Sequence, residues 1–184
     1  ISVREAEALG GMAMSTDDSK QAAALLQAVP NGVQAMSRDI EGLVQTSLNL
    51  GIAQIQEDRL HLTFSVRSSV NEEKESLLQQ LRDIAGDFHA AYSQMGEYPA
   101  WEYRKDSPLR DLMVQTYRQM FGGEPQVVAI HAGLECGLLG DKLPGLDCVS
   151  FGPQMQDIHT SREKLNIAST ARMWNYLLEI LKRL

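Results

Sequence analysis

QVVAIHAGLECGLLGDKLPGLDCVSFGPQMQDIHTS, residues 126–161, holds two short apolar runs that each break into a glycine-punctuated turn. Val127 to Ile130 gives way to His131-Ala132-Gly133-Leu134-Glu135-Cys136-Gly137. Cys148 to Phe151 breaks at Gly152-Pro153 into a loop ending in Asp157-Ile158-His159. Apolar runs of this length, bounded by turn residues, read as buried strands. Polar residues delivered just past strand ends are where an α/β sheet builds a site.

Outward from that stretch, the downstream chain closes with a helix from about Thr170. Its apolar side is read as Met173, Trp174, Leu177, Leu178, Leu181 and Leu184, with Lys182 and Arg183 near the negative end of the dipole. Upstream, Ser107 caps a helix with Pro108 at its first position. Leu109, Leu112, Met113, Tyr117, Met120 and Phe121 form its buried side, and Gly122-Gly123 ends it. Helix, strand, turn, strand, helix is too little for a complete α/β sheet, so residues 99–184 read as the end of a domain that begins elsewhere.

Residues 1–98 read differently. Ser2 to Leu9 is a weak strand, and Ser15-Thr16-Asp17-Asp18 offers helix caps before Lys20 to Val29. Pro30-Asn31-Gly32 stops that helix, and Val33 to Leu43 stays open between irregular chain and a short helical turn. Ser47 to Gln56, turning at Glu57-Asp58, predicts a hairpin. Leu48, Leu50 and Ile52 lie on one face of its first strand. Leu60, Leu62, Phe64 and Val66 line one face of the second, with His61, Thr63, Ser65 and Arg67 opposite. Ser69 and Glu72 have capping-box spacing before a helix striped by Leu77, Leu78, Leu81, Ile84, Ala85 and Phe88. Ala91 to Pro99 reads as a last strand. The order is ferredoxin-like, βαββαβ, with helices on one sheet face and the other open for a partner or a cleft.

These stretches carry a resemblance. IHAGLECGLL, VSFGP and the His in IHTSREK are similar to the C-terminal part of bacterial aminoacyl-histidine dipeptidases, the Xaa-His or peptidase D type of two-zinc metallopeptidase related to carnosinases. NGVQAMSRDIEGLVQTSLNLGIAQ and FSVRSSV resemble the same family's lid domain, in the same order. The resemblance implies a ferredoxin-like α+β lid domain over 1–98, followed by the C-terminal part of an α/β zinc-peptidase catalytic domain over 99–184. It implies hydrolysis of dipeptides ending in His by a zinc-activated water, with two zincs per site and a dimer formed through the lids.

Residue by residue, the resemblance makes His159 a zinc ligand. A loop His by itself is more often a plain surface residue, but neutral imidazole suits zinc well. Relatives carry Pro or Ala before this His and Ser-Pro after it; here Ile158 and Thr160-Ser161 stand instead, which bears on the loop's rigidity. Gly133 becomes a point of close backbone approach by the substrate, against the simpler reading of a turn glycine. Glu135 is either a second residue behind the site or a solvated turn carboxylate, and His131 is structural. Arg67 becomes the lid residue that reaches the substrate's terminal carboxylate, where a planar guanidinium gives two parallel bonds that Lys cannot. Its simpler reading is a solvated sheet face. Asn49 is a second lid candidate. Met36, Met113, Met120 and Met173 read as core filler.

The family's HxD motif, bridging Asp and Glu-Glu pair have no counterpart here. Of His61, His89, His131 and His159, one matches a ligand position. The sequence therefore predicts a C-terminal fragment that holds no catalytic residue and retains little or no zinc alone. The competing reading is a non-catalytic ferredoxin-like interaction module.

Bulk properties fit a globular protein. The 184 residues are 43% hydrophobic and 22% charged, and a formal charge of -7 argues against nucleic acid or anionic membrane as partners. No apolar run reaches the roughly 18 residues that span a bilayer. The start lacks a Met and a signal-peptide pattern, and Cys136 and Cys148 are too few for a disulfide scaffold, so a cytoplasmic protein with buried thiols is expected. There is no P-loop, GxGxxG, HExxH or GxSxG motif.

Overall fold

The computed structural model describes residues 13–129 and 135–184. The expected strand Ser2–Leu9, together with His131 and Gly133, lies outside them. The described elements are α1 (Thr16–Ala28), β1 (Gly32–Met36), β2 (Val44–Gln56), β3 (Arg59–Ser68), α2 (Asn71–Asp87), α3 (Pro108–Phe121), α4 (Glu135–Lys142), β4 (Met155–Gln156), β5 (Lys164–Leu165) and α5 (Ile167–Leu181). No described helix is long and apolar enough to cross a membrane.

β1, β2 and β3 form an antiparallel sheet in that order. The β2–β3 hairpin turns at Glu57 and Asp58, both with positive φ (48° and 61°), the backbone of the tight turn that matches strand twist. Leu48 faces Val66 and Leu50 faces Phe64 across the pair. Leu48, Phe64 and Val66 pack with Leu77 and Leu81 of α2 and with Val29 after α1 to make one core. The stripe read on α2 is the one that it buries, through Leu77, Leu78 and Leu81.

Ile52 departs from the simple alternation. The register shifts between Leu50 and Ile52, so Ile52 lies opposite Thr63 and Ala53 opposite Leu62. One extra residue at Gly51 moves Ile52 to the face away from the helices, where it is 49% exposed. Periodicity alone does not show a bulge.

The ferredoxin-like order is not what the described residues form. Gly32–Met36, left open in the sequence, is a strand, whereas Ala91–Pro99 is not. The end of the latter is bound by side chains of α2 rather than by a ladder: Lys74 Nζ donates to Tyr98 O at 2.7 Å. The described residues 127–129 and 148–151, read as buried strands, lie in no strand or sheet. Val127 and Val128 are more than half exposed, because a ladder needs a neighbour and the described chain offers them none. Glu135–Lys142, read as turn and loop, is helical. The architecture is mixed α and β.

A second core gathers Met113, Tyr176 and Ile180, with Leu109, Tyr117, Val149 and Met173 against it. Tyr176 donates its hydroxyl to Met113 O at 2.6 Å and meets Tyr117 and Phe151 edge-on. α5 is apolar nearly all round, and the stripe at Trp174, Leu178 and Leu181 stays exposed while Tyr176 and Ile180 are buried. Of the four methionines read as filler, Met113 is buried and Met173 packs against it, but Met36 is 48% exposed and Met120 36%.

Ser107 caps α3 as its sequence position predicts, accepting from Arg110 N at 3.1 Å. Asp147, forty residues on, joins it: Ser107 Oγ donates to Oδ1 at 2.7 Å and Leu109 N to Oδ2 at 2.9 Å. Burial pushes the Asp147 carboxyl up, but the Ser107 and Leu109 bonds, with Arg104 and Arg110 nearby, outweigh it and hold the carboxyl below its ordinary value. A carboxyl lowered by folding contributes stability that is present above the unfolded value, near pH 4, and lost as pH falls through the folded value. Asp147→Asn should therefore flatten the fall in melting temperature below about pH 4. Ser107→Ala should cost about 1 kcal/mol at neutral pH in denaturant melts. An unchanged acid limb in Asp147→Asn would count against this assignment.

Candidate functional site

The described residues proposed from sequence fall in three places: a sheet face, a hairpin loop and the start of α4. The first is the sheet face turned away from the helices. Arg67 lies opposite Ser47 and Asn49 opposite Ser65, so both candidates share that face with Thr63 and His61. As diagonal neighbours their positions are about 7–8 Å apart, within the span of a small substrate. Arg67, Asn49, Ser65 and Thr63 are all exposed. The helices cover only the opposite face, so these side chains meet solvent.

On the opposite, helix-covered face a network of hydroxyls and a carboxylate ties β2 and β3 to α2. Thr46 and Ser68, both buried, share a bond of 2.8 Å. Glu73 of α2 accepts from Thr46 Oγ1, and from Gln45 Nε2 at 2.6 Å. Ser68 Oγ also takes the Val70 amide at 3.0 Å. The capping box read at Ser69 and Glu72 is therefore absent: Val70 is the N-cap, without a side-chain bond. The neighbouring residues Ser68 and Glu73 tie the helix to the sheet instead. No sequence signal pointed to this, since Glu73 and its partners stand 27 and 28 residues apart.

The second place is the β4–β5 hairpin, whose loop carries His159. Asp157 and His159 both have positive φ (51° and 65°), unusual for residues with a Cβ. Thr160 braces the loop by donating Oγ1 to Asp157 O at 2.7 Å and accepting Arg162 N at 3.1 Å. Glu163 accepts the His159 amide at 2.9 Å. The departure at Thr160-Ser161 thus supplies its own tie through the Thr160 hydroxyl. Strained backbone that its surroundings hold in place recurs at functional loops, and here it presents an exposed imidazole.

Glu135 opens α4 and is exposed, with its carboxylate at the positive end of the helix. Behind it Cys136 and Cys148 are free and half-buried. Burial, with the Cys148 thiol alongside, pushes Cys136 up, which favours a protonated thiol over a metal-binding thiolate. Among the described residues no three His, Cys, Asp or Glu gather where they would hold a metal ion. His159 offers one imidazole, so the donor set present does not make a zinc centre. Sequence reasoning also passed over Gly137, which is buried in α4: a Cβ there would stand 2.8 Å from Pro99 O.

Known dipeptidases match most of the chain. The chain is 36% identical over 163 residues to the cytosol non-specific dipeptidase of Escherichia coli K12, a match covering 87% of this chain and 33% of that protein. The crystal structure of aminoacylhistidine dipeptidase from Vibrio alginolyticus superposes with a TM-score of 0.81 at 32% identity, over 92% of this chain and 35% of that one. The chain is homologous to part of a dipeptidase. It spans about a third of the length of each of these dipeptidases. The aminopeptidase PepT structure from Bacillus cereus shares the fold, with a TM-score of 0.67 at 17% identity over 88% of this chain and 44% of that one. No family model matches the chain. The dipeptidase likeness runs through both the sheet and the helical segments, as the FSVRSSV and HAGLECG stretches implied.

Proposed function

We propose that this chain is the C-terminal portion, lid and end of catalytic domain, of a cytoplasmic zinc dipeptidase that cleaves Xaa-His dipeptides. The observation carrying this is the superposition on an aminoacylhistidine dipeptidase over 92% of the chain. In this reading residues 1–98 form the lid and 99–184 belong to the catalytic domain. His159 is one zinc ligand, and the other donors lie in sequence upstream. Arg67 and Asn49 receive the substrate carboxylate, and Gly133 and Glu135 flank the substrate.

The exposed apolar surface agrees. Val127, Val128, Trp174, Leu181 and Ile167 are each more than half exposed. The remainder of an α/β domain would cover them and supply ladder partners to 127–129 and 148–151. The open sheet face, which carries the exposed Val33 and Ile52, is the surface through which two lids would pair into a homodimer.

The test begins with the coding sequence upstream of Ile1, where an HxD motif and a Glu-Glu pair are expected. The intact protein should then hydrolyse β-alanyl-histidine in the presence of zinc, whereas the purified 184-residue chain should not. Zinc-dependent turnover by the short chain, or an upstream sequence without those motifs, would overturn the reading. The latter result would favour a non-catalytic interaction module.

A further inference from the structure

The segment Tyr98–Glu102 joins the sheet to the helices, and both sides grip it. Three bonds reach it from the first turn of α2. Asn71 Oδ1 accepts Ala100 N at 2.8 Å, Asn71 N donates to Glu102 Oε1 at 3.3 Å, and Lys74 Nζ donates to Tyr98 O at 2.7 Å. The α2 N-terminus has no capping side chain of its own, and Glu102 accepts one of the four amides that a helix start leaves without an intrahelical partner. On the other side, the Cα of Gly137 lies so near Pro99 that a methyl group there would meet Pro99 O at 2.8 Å and the Ala100 carbonyl carbon at 3.5 Å.

The same helical turn is fixed to the sheet, since Glu73 takes Gln45 and Thr46 of β2. A continuous run of contacts thus leads from β2 through Glu73 to Asn71 and Lys74, across the segment, and onto α4. β2 carries Asn49, β3 carries Arg67, and α4 opens at Glu135. We infer that Tyr98–Glu102 is a joint that sets the angle between the sheet and α4, and that Asn71 is its positioning residue. Asn suits the place because its side-chain carbonyl accepts from the segment, while the backbone N–H of the same residue donates to it. The exposed Lys105–Asp39 pair, 2.6 Å apart, spans the same junction but adds little in water. The consequence for substrate rests on the dipeptidase reading; the joint itself does not.

The test is residual dipolar coupling by NMR on the 184-residue chain. In the wild type, couplings from β2–β3 and from α3–α5 fit one alignment tensor. Asn71→Ala separates them into two tensors and speeds amide exchange at Ala100 about fivefold, the factor that one ordinary hydrogen bond supplies. Asn71→Asp, which keeps the acceptor, retains a single tensor. Glu72→Ala, in the same turn but outside the joint, does too. Lys74→Met gives an independent break at Tyr98, read the same way should Asn71→Ala fold poorly. A single unchanged tensor in both Asn71→Ala and Lys74→Met overturns the proposal. An Arg67 substitution without effect on substrate binding would instead overturn the dipeptidase reading and leave the joint standing.

Discussion

In the intact dipeptidase proposed for this chain, Arg67→Ala should raise KM for a dipeptide about 10- to 100-fold while leaving kcat nearly unchanged. Charge-assisted hydrogen bonds of the guanidinium–carboxylate kind contribute roughly 1.5–3 kcal/mol, and each 1.4 kcal/mol is about a factor of ten. A group that binds substrate and transition state alike moves KM alone. Arg67 lies exposed on a rigid strand opposite Ser47, one diagonal step from Asn49, so its fork is presented by backbone rather than by a loop. Arg67→Lys keeps the charge and loses the paired geometry, and should recover only part of the affinity. A dipeptide amide, whose C-terminus carries no charge, should be indifferent to both changes. If the amide and the free acid lose affinity equally, Arg67 does not read the carboxylate.

Leu48→Ala should destabilise the chain by about 3 kcal/mol, which for a protein of this size lowers the melting temperature by about 6–12 °C. Leu48 is 2% exposed at the centre of the sheet–helix core, against Leu77 and Leu81. Its removal leaves a cavity between two regular elements that close poorly. Ile52→Ala is the contrast, since Ile52 is 49% exposed beyond the register shift; substitutions at such surfaces stay within about 0.5 kcal/mol. Thermal and denaturant melts followed by circular dichroism measure both. Equal losses at the two positions would mean that the bulge is not where the register places it.

The difference between those two residues shows where sequence reasoning ends. Leu48, Leu50 and Ile52 have identical spacing, and a period of two assigns them one face. The shift at Gly51 depends on how β2 pairs with β3, which local pattern does not encode. α5 repeats the lesson: Tyr176–Ile180 and Trp174–Leu178–Leu181 are both plausible stripes, and contact with Met113 of α3 selects the first. The Ser69–Glu72 spacing satisfies a local rule that the structure overrides, because Ser68, Thr46 and Glu73 offer a better-satisfied network.

The sequence by itself determined the hairpin and its turn, the caps and glycine stop of α3, the stripe of α2, and the kinship to dipeptidases. Each of these rests on residues within a few positions of one another, or on a run of identities read in order. Tertiary structure alone decided which faces are buried, that 91–99, 127–129 and 148–151 join no ladder, and that Asn71, Lys74 and Gly137 close on one short segment. Those outcomes depend on hydrogen bonds and steric contacts between residues dozens of positions apart, and periodicity carries no information at that range.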